Sequence, residues 1–176
     1  MKKTSILSFL LLIAFIVKSQ NYLYVGTKSY VSTDVWNFRL VDTSLGTSTI
    51  GVSVAKGSHG TGYILLSFKA PAGVVLSGNM YVYLPFNNII KLSNLIANDR
   101  VNSHTKRLYS IDSVNYELMK YVRIETVRFS VLIRNNKEET FTAKNNINTF
   151  EHDSKTNMDW MNFGVPTERD IKRLDD

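Results

Sequence analysis

The chain has 176 residues, a formal charge of +6, 44% hydrophobic and 20% charged residues, and no cysteine. That apolar share supports a packed core and excludes whole-chain disorder or a fibrous repeat. Without cysteine there are no disulfides, thiolate metal sites, thiol nucleophiles or lipidated amino-terminal cysteine.

The first element in chain order is a leader. Lys2 and Lys3 form a short positive region, Ile6 to Val17 is apolar except for Ser8, and Val17-Lys18-Ser19 precedes a cut ahead of Gln20. This is the pattern of a secretory signal peptide over residues 1–19. Its apolar run is too short for a membrane span, which takes about 20 residues. Cleavage would remove Lys2, Lys3 and Lys18 and no acid, leaving 18 basic against 15 acidic residues. That mild balance, with no dense basic run, argues against nucleic acid as a partner. The expected location is outside the cytosol, in the periplasm, at the cell surface or in the medium, without a lipid anchor and without a membrane span after cleavage.

Residues 20–176 then read as one β-rich domain, less regular from about residue 145. Strands are expected over Gln20 to Val25, Val35 to Val41, Thr49 to Ala55 and Tyr63 to Phe68. The last of these is nearly all apolar, as in a strand covered on both sides. Met80, Val82 and Leu84 alternate with Tyr81 and Tyr83, and after Pro85 a turn at Asn87-Asn88 returns the chain through Ile89 to Leu92,. Val127, Phe129, Val131 and Ile133 share one face of the cleanest half-buried strand, and Thr140 to Lys144 can complete a hairpin with it,. Turns are expected at 57–60, 71–73, 77–79 and 135–137, where glycine and asparagine tolerate positive backbone angles.

Helix is sparse. Asp112 or Ser113 can cap a short one to about Tyr121, and Thr167, Glu168 and Asp170 followed by Lys172 and Arg173 suit the dipole of another,. Strands about 10 residues apart predict a mainly β fold, an antiparallel β-sandwich-like domain with one or two short helices; a β-rich α+β arrangement is the alternative.

Three segments carry a resemblance: Thr27 to Thr33, Gly62 to Ser67, and Tyr116-Glu117-Leu118-Met119 followed by Ile124 to Phe129. In these the chain resembles uncharacterised exported β-rich proteins of Bacteroidota. The resemblance implies export and supplies no activity and no catalytic residue.

The three histidines, His59, His104 and His152, lie in separate segments. Glu151-His152-Asp153 is the one tempting metal cluster, but consecutive side chains point apart on regular structure, so no metal and no cofactor are assigned. Gly57 to Gly62 is glycine-rich yet lacks the order of a phosphate-binding loop and reads as a hairpin tip. Gly46 to Gly51 has the wrong spacing for a nucleophile elbow, and no catalytic residue is assigned.

Aromatic residues are the remaining candidates. Tyr81 and Tyr83 oppose the apolar side of their strand, Trp36 and Phe38 share a face of another, and Trp160 lies in an irregular segment. Exposed planar rings bind sugar rings or apolar peptides, so Trp36, Tyr81, Tyr83 and Trp160 form the expected binding platform. The functional expectation is an exported domain acting by binding or structural association at the cell envelope. Its partner would be a glycan, a peptide or another exported protein. The alternative is a small secreted hydrolase with a spatially assembled acid pair or Ser–His site.

Overall fold

The computed structural model describes residues 20–93, 95–101, 103–133, 137–145 and 166–175. The strands are β1 Asn21–Val25, β2 Lys28–Ser32, β3 Trp36–Leu40, β4 Thr49–Lys56, β5 Gly62–Lys69, β6 Val75–Tyr83, β7 Ile89–Leu92, β8 Leu95–Val101 and β9 His104–Ile111. Helix α1 Ser113–Met119, strands β10 Thr126–Ile133 and β11 Lys137–Lys144, and helix α2 Thr167–Lys172 complete the described elements. Every strand pair is antiparallel, so the fold is mainly β with two short helices. The strands run β7-β6-β10-β11-β3-β4-β5-β9-β8 in one sheet, with β1 joined to β2 and β2 to β4. The two layers are therefore opposite walls of one curled sheet.

Alternation decides which residues meet inside. Trp36, Phe38 and Leu40 of β3, Ile50, Val52 and Val54 of β4, and Ile64, Leu66 and Phe68 of β5 line one wall. Met80 and Val82 of β6, Val127, Phe129 and Val131 of β10, and Phe141 of β11 line the other. The walls meet at Phe68 and Phe129, whose ring centroids are 5.8 Å apart, and Phe129 is also 6.2 Å from Phe141. Burial of these rings is the main force holding the curl, since large aromatics remove the most apolar area from water.

The curl closes between β6 and β9 without a strand ladder. Only Met80 to Tyr83 of β6 pair with β7, so Leu76 and Gly78 face an edge with no described strand beside it. Side chains of β8 and β9 fill the gap. Arg107 donates to the carbonyls of Leu76 at 2.6 Å and Gly78 at 3.0 Å, Tyr109 Oη donates to Gly78 at 3.2 Å, and Asn98 donates to Leu76 at 3.3 Å. Arg100 reaches the carbonyls of Pro71 and Val74 nearby. Buried carbonyls need such partners, and a guanidinium supplies several donors from one side chain. Burial pushes the Tyr109 hydroxyl up to about 12 even though the adjacent Arg107 works against that shift.

The β1–β2 hairpin lies on the outer side of β4, β5 and β9. Leu23 packs there against Ala55 and Leu108, with Tyr30, Tyr63 and Leu65 around them. Helix α1 is capped by Asp112, whose carboxylate accepts from the Asn115 backbone N–H at 2.9 Å. That bond is the main reason the carboxyl is held below its usual range. Helix α2 buries Ile171 and is fixed by polar contacts: Trp36 Nε1 donates to Asp170 at 2.9 Å, and Lys120 Nζ donates to Asp175 at 2.6 Å and Glu117 at 2.5 Å. Lys56 pairs with Asp175 at 3.0 Å. Thr167 does not cap its own helix; its hydroxyl accepts from the buried Ile124 N–H at 2.8 Å, and Pro166 holds the cap position.

Other expectations also change in detail. The 57–60 turn is present, closed by Gly57 N–H to the Thr61 carbonyl at 2.8 Å, with His59 and Gly60 in left-handed conformations. Residues 77–79 are not a turn but a β-bulge inside β6: Met80 faces Phe129 and Ser77 faces Ser130, leaving Gly78 and Asn79 unmatched. Gly78 has φ +59, and a Cβ there would fall 2.8 Å from Glu138 Oε1. Lys137 opens β11, while 135–136, residues 1–19 and the Glu151-His152-Asp153 cluster lie outside the described residues.

Candidate functional site

The outer face of β7, β6, β10 and β11 carries the expected tyrosine pair. Met80 and Val82 point into the core, which turns Tyr81 and Tyr83 outward by the two-residue period of a strand, and both rings are half-buried,. They border a groove of about 310 Å³ together with Asn79, Arg128, Ser130 and Thr140. The bulge at Gly78–Asn79 sits at one end of this groove, a position where bulges commonly re-aim side chains beside binding sites,.

Strand register sets the neighbours of each ring. Tyr81 lies between Lys91 of β7 and Arg128 of β10, and Arg128 faces Thr142 of β11. Tyr83 lies between Ile89 and Thr126, and the same row continues through Lys144 of β11 to Arg39 of β3. Lys91, Arg128, Lys144 and Arg39 are all exposed, and none forms an ion pair with a described residue. Neither row contains an acid. Glu138, farther along β11, is engaged by the Ser77 hydroxyl at 3.1 Å. The β6–β7 turn adds an apolar tip: Phe86 is 94% exposed with φ +61, and Ile89 is 55% exposed.

Trp36 is not part of this platform. It is 3% exposed, its ring belongs to the core, and its indole N–H is spent on Asp170. The alternation that puts Trp36 beside Phe38 and Leu40 also buries it, because all three point into the curl. Trp160 lies outside the described residues. Arg128, Lys91 and Phe86 were absent from the sequence expectation. Arg128 alternates with Val127 and Phe129, so its outward direction was legible, but its position beside Tyr81 depends on strand order.

A larger concavity of about 510 Å³ lies between the hairpin and β8–β9, with Tyr22 and Tyr24 on one side and Leu65 and Leu108 on the other. Its two charges, Asp99 and Lys106, face each other in register, so this groove has no net sign. The tyrosine face has both rings and cations that form no ion pair with a described residue, and it carries more recognition chemistry despite being smaller.

Two further clusters bear on catalysis and metals. Glu117 and Asp175 are brought together, and both bind Lys120. Burial pushes the Asp175 carboxyl up, but the bonds from Lys120 and Lys56 outweigh it and hold the group below its usual range. Tyr116 Oη is buried beside this cluster without a hydrogen-bond partner among the described residues, and burial first, then the Asp175 charge, raises its ionisation far above the ordinary phenol range. The described residues hold no group of three or more His, Asp or Glu side chains placed for a metal ion, and no described helix is long and apolar enough to cross a membrane. No family model, curated protein or solved structure matches the chain.

Proposed function

We propose that this chain is an exported domain that acts by binding, with the Tyr81–Tyr83 face as its site and an envelope glycan as its partner. The observation that supports this most is the pair of half-buried rings on one solvent-facing side of β6, bordering a groove with hydroxyl and amide groups around it. Sugar rings present apolar C–H faces and polar rims, so they pair with aromatic faces flanked by hydroxyl, amide and guanidinium groups. The strand beneath is held on both sides by ladders, so the rings are fixed before a ligand arrives, which lowers the entropy lost on binding,.

Export rests on the leader-like residues 1–19 and on the resemblance to exported Bacteroidota proteins. The test of location is the amino terminus: mass spectrometry of the secreted or periplasmic fraction should find a chain beginning at Gln20. An intact Met1 confined to the cytosol would end this part of the reading. The test of function is a glycan array followed by titration calorimetry. Tyr81→Ala and Tyr83→Ala should each abolish detectable binding of the best glycan, and unchanged affinity in both would remove the platform.

A further inference from the structure

We propose that the Tyr81–Tyr83 face selects an anionic saccharide, a polymer carrying carboxylates on its sugar rings. This rests on the platform reading above and adds to it the sign of the ligand. Across the sheet, Lys91 and Arg128 stand on either side of Tyr81, one strand away in each direction. Neighbouring strands lie about 4.8 Å apart, so the two cations are separated by about 10 Å with a ring between them. In the adjacent row Lys144 and Arg39 stand side by side, two and three strands beyond Tyr83.

Opposite charges directly across two strands stabilise a sheet, whereas like charges in register repel. Here Lys144 and Arg39 are direct partners with no acid in their row, and Glu138 lies six residues from Lys144 along β11, about 20 Å away at the rise of a strand. A bound anion would relieve that repulsion. Arg128 suits a carboxylate in particular, since its planar fork makes two parallel hydrogen bonds to one. Ser130 and Thr140 lie within 3.4 Å of each other at the groove and offer hydroxyls for the sugar itself. Lys91 and Arg128 are spaced around a ring, an arrangement suited to a sugar chain whose charges alternate with apolar ring faces.

Titration calorimetry of the purified chain with polygalacturonate, dextran, single-stranded DNA and anionic phospholipid vesicles tests the inference. Polygalacturonate should bind at least about tenfold more tightly than dextran and weaken as salt rises. Arg128→Gln should reduce that affinity about tenfold, and Lys91→Gln should reduce it less, with unchanged far-UV circular dichroism because both side chains are exposed. Arg128→Lys should recover only part of the loss, since a lysine cannot make the paired bonds. Equal binding of dextran and polygalacturonate, indifferent to Arg128→Gln, would overturn the charge selection and leave the ring platform standing. Silence toward both polysaccharides would overturn the platform and the inference together. Tighter binding of DNA or vesicles through the same residues would overturn the saccharide assignment.

Discussion

The outer sides of the two walls are treated differently. Over β4, β5 and β9 the sheet presents Ala55, Leu65 and Leu108, and the β1–β2 hairpin folds down to cover them with Leu23 and Tyr30. Over β6, β10 and β11 it presents Tyr81, Tyr83 and Arg128, and no described element lies on top. Aliphatic surface is stable only when covered, whereas a ring with a polar tip or a guanidinium tolerates water. Among the described residues the extra hairpin lies where burial requires a cover, and the tyrosine face carries none.

The sharpest way to break this comparison is from beneath the open face. Phe129→Ala removes a ring that touches both Phe68 and Phe141. It should cost about 3–5 kcal/mol in a denaturant titration. A cost under about 1 kcal/mol would mean that the two walls are not packed as described. On the covered face, Leu23→Ala should cost about 2–3 kcal/mol, because Leu23 is 8% exposed and centres the outer cluster,. A neutral effect would show that the hairpin is not required as a cover.

Next in size is the ion cluster that holds α2. Asp175 ionises at lower pH in the fold than in the unfolded chain, so its contribution is complete above the unfolded value of about 4 and is lost as pH falls through the folded one,. Lys120 is raised by its bonds to Asp175 and Glu117, so its contribution is complete below about 10.4 and is lost as pH rises through the folded value,. Asp175→Asn should therefore lower stability at neutral pH by about 1–2 kcal/mol and flatten the acid side of the stability profile. An unchanged acid limb would dissociate α2 from these charges.

The smallest effects belong to the open face. Phe86→Gly should raise stability by about 1 kcal/mol, since glycine adopts the left-handed backbone of that exposed position without strain,. Tyr81→Ala should change stability by less than about 1 kcal/mol while removing glycan binding. If Tyr81→Ala instead unfolded the chain, the ring would be a structural element like Leu23 and the contrast between the faces would collapse.

Much of the architecture was legible where hydrophobic alternation is clean. β3, β4, β10 and the end of β6 follow from apolar residues two apart, β5 from its nearly continuous apolar run and β7 from the turn after Pro85, and of the two cap candidates, Asp112 and Ser113, the fold uses Asp112. β8 and β9 were not legible, for a physical reason. Their inward positions include Asn98, Arg100, Thr105 and Arg107, polar residues that bond the backbone of β6 and its preceding turn, so the period-two signal is hidden. β2 was missed although Gly26, with φ +61, marks the tight turn before it. In the site, the outward direction of Tyr81 and Tyr83 was readable from one strand, whereas the cations around them required knowing that β6 lies between β7 and β10.

The join between β6 and β9 has a mechanical consequence. A backbone ladder separates only by breaking several bonds at once, but the donors from Arg107, Asn98 and Tyr109 sit on side chains that swing one at a time. The curled sheet can therefore breathe along that line while every strand pair stays intact. Amide protons of Leu76 and Gly78 should exchange with deuterated solvent ahead of those in the middle of β5, which marks the place where this molecule yields first.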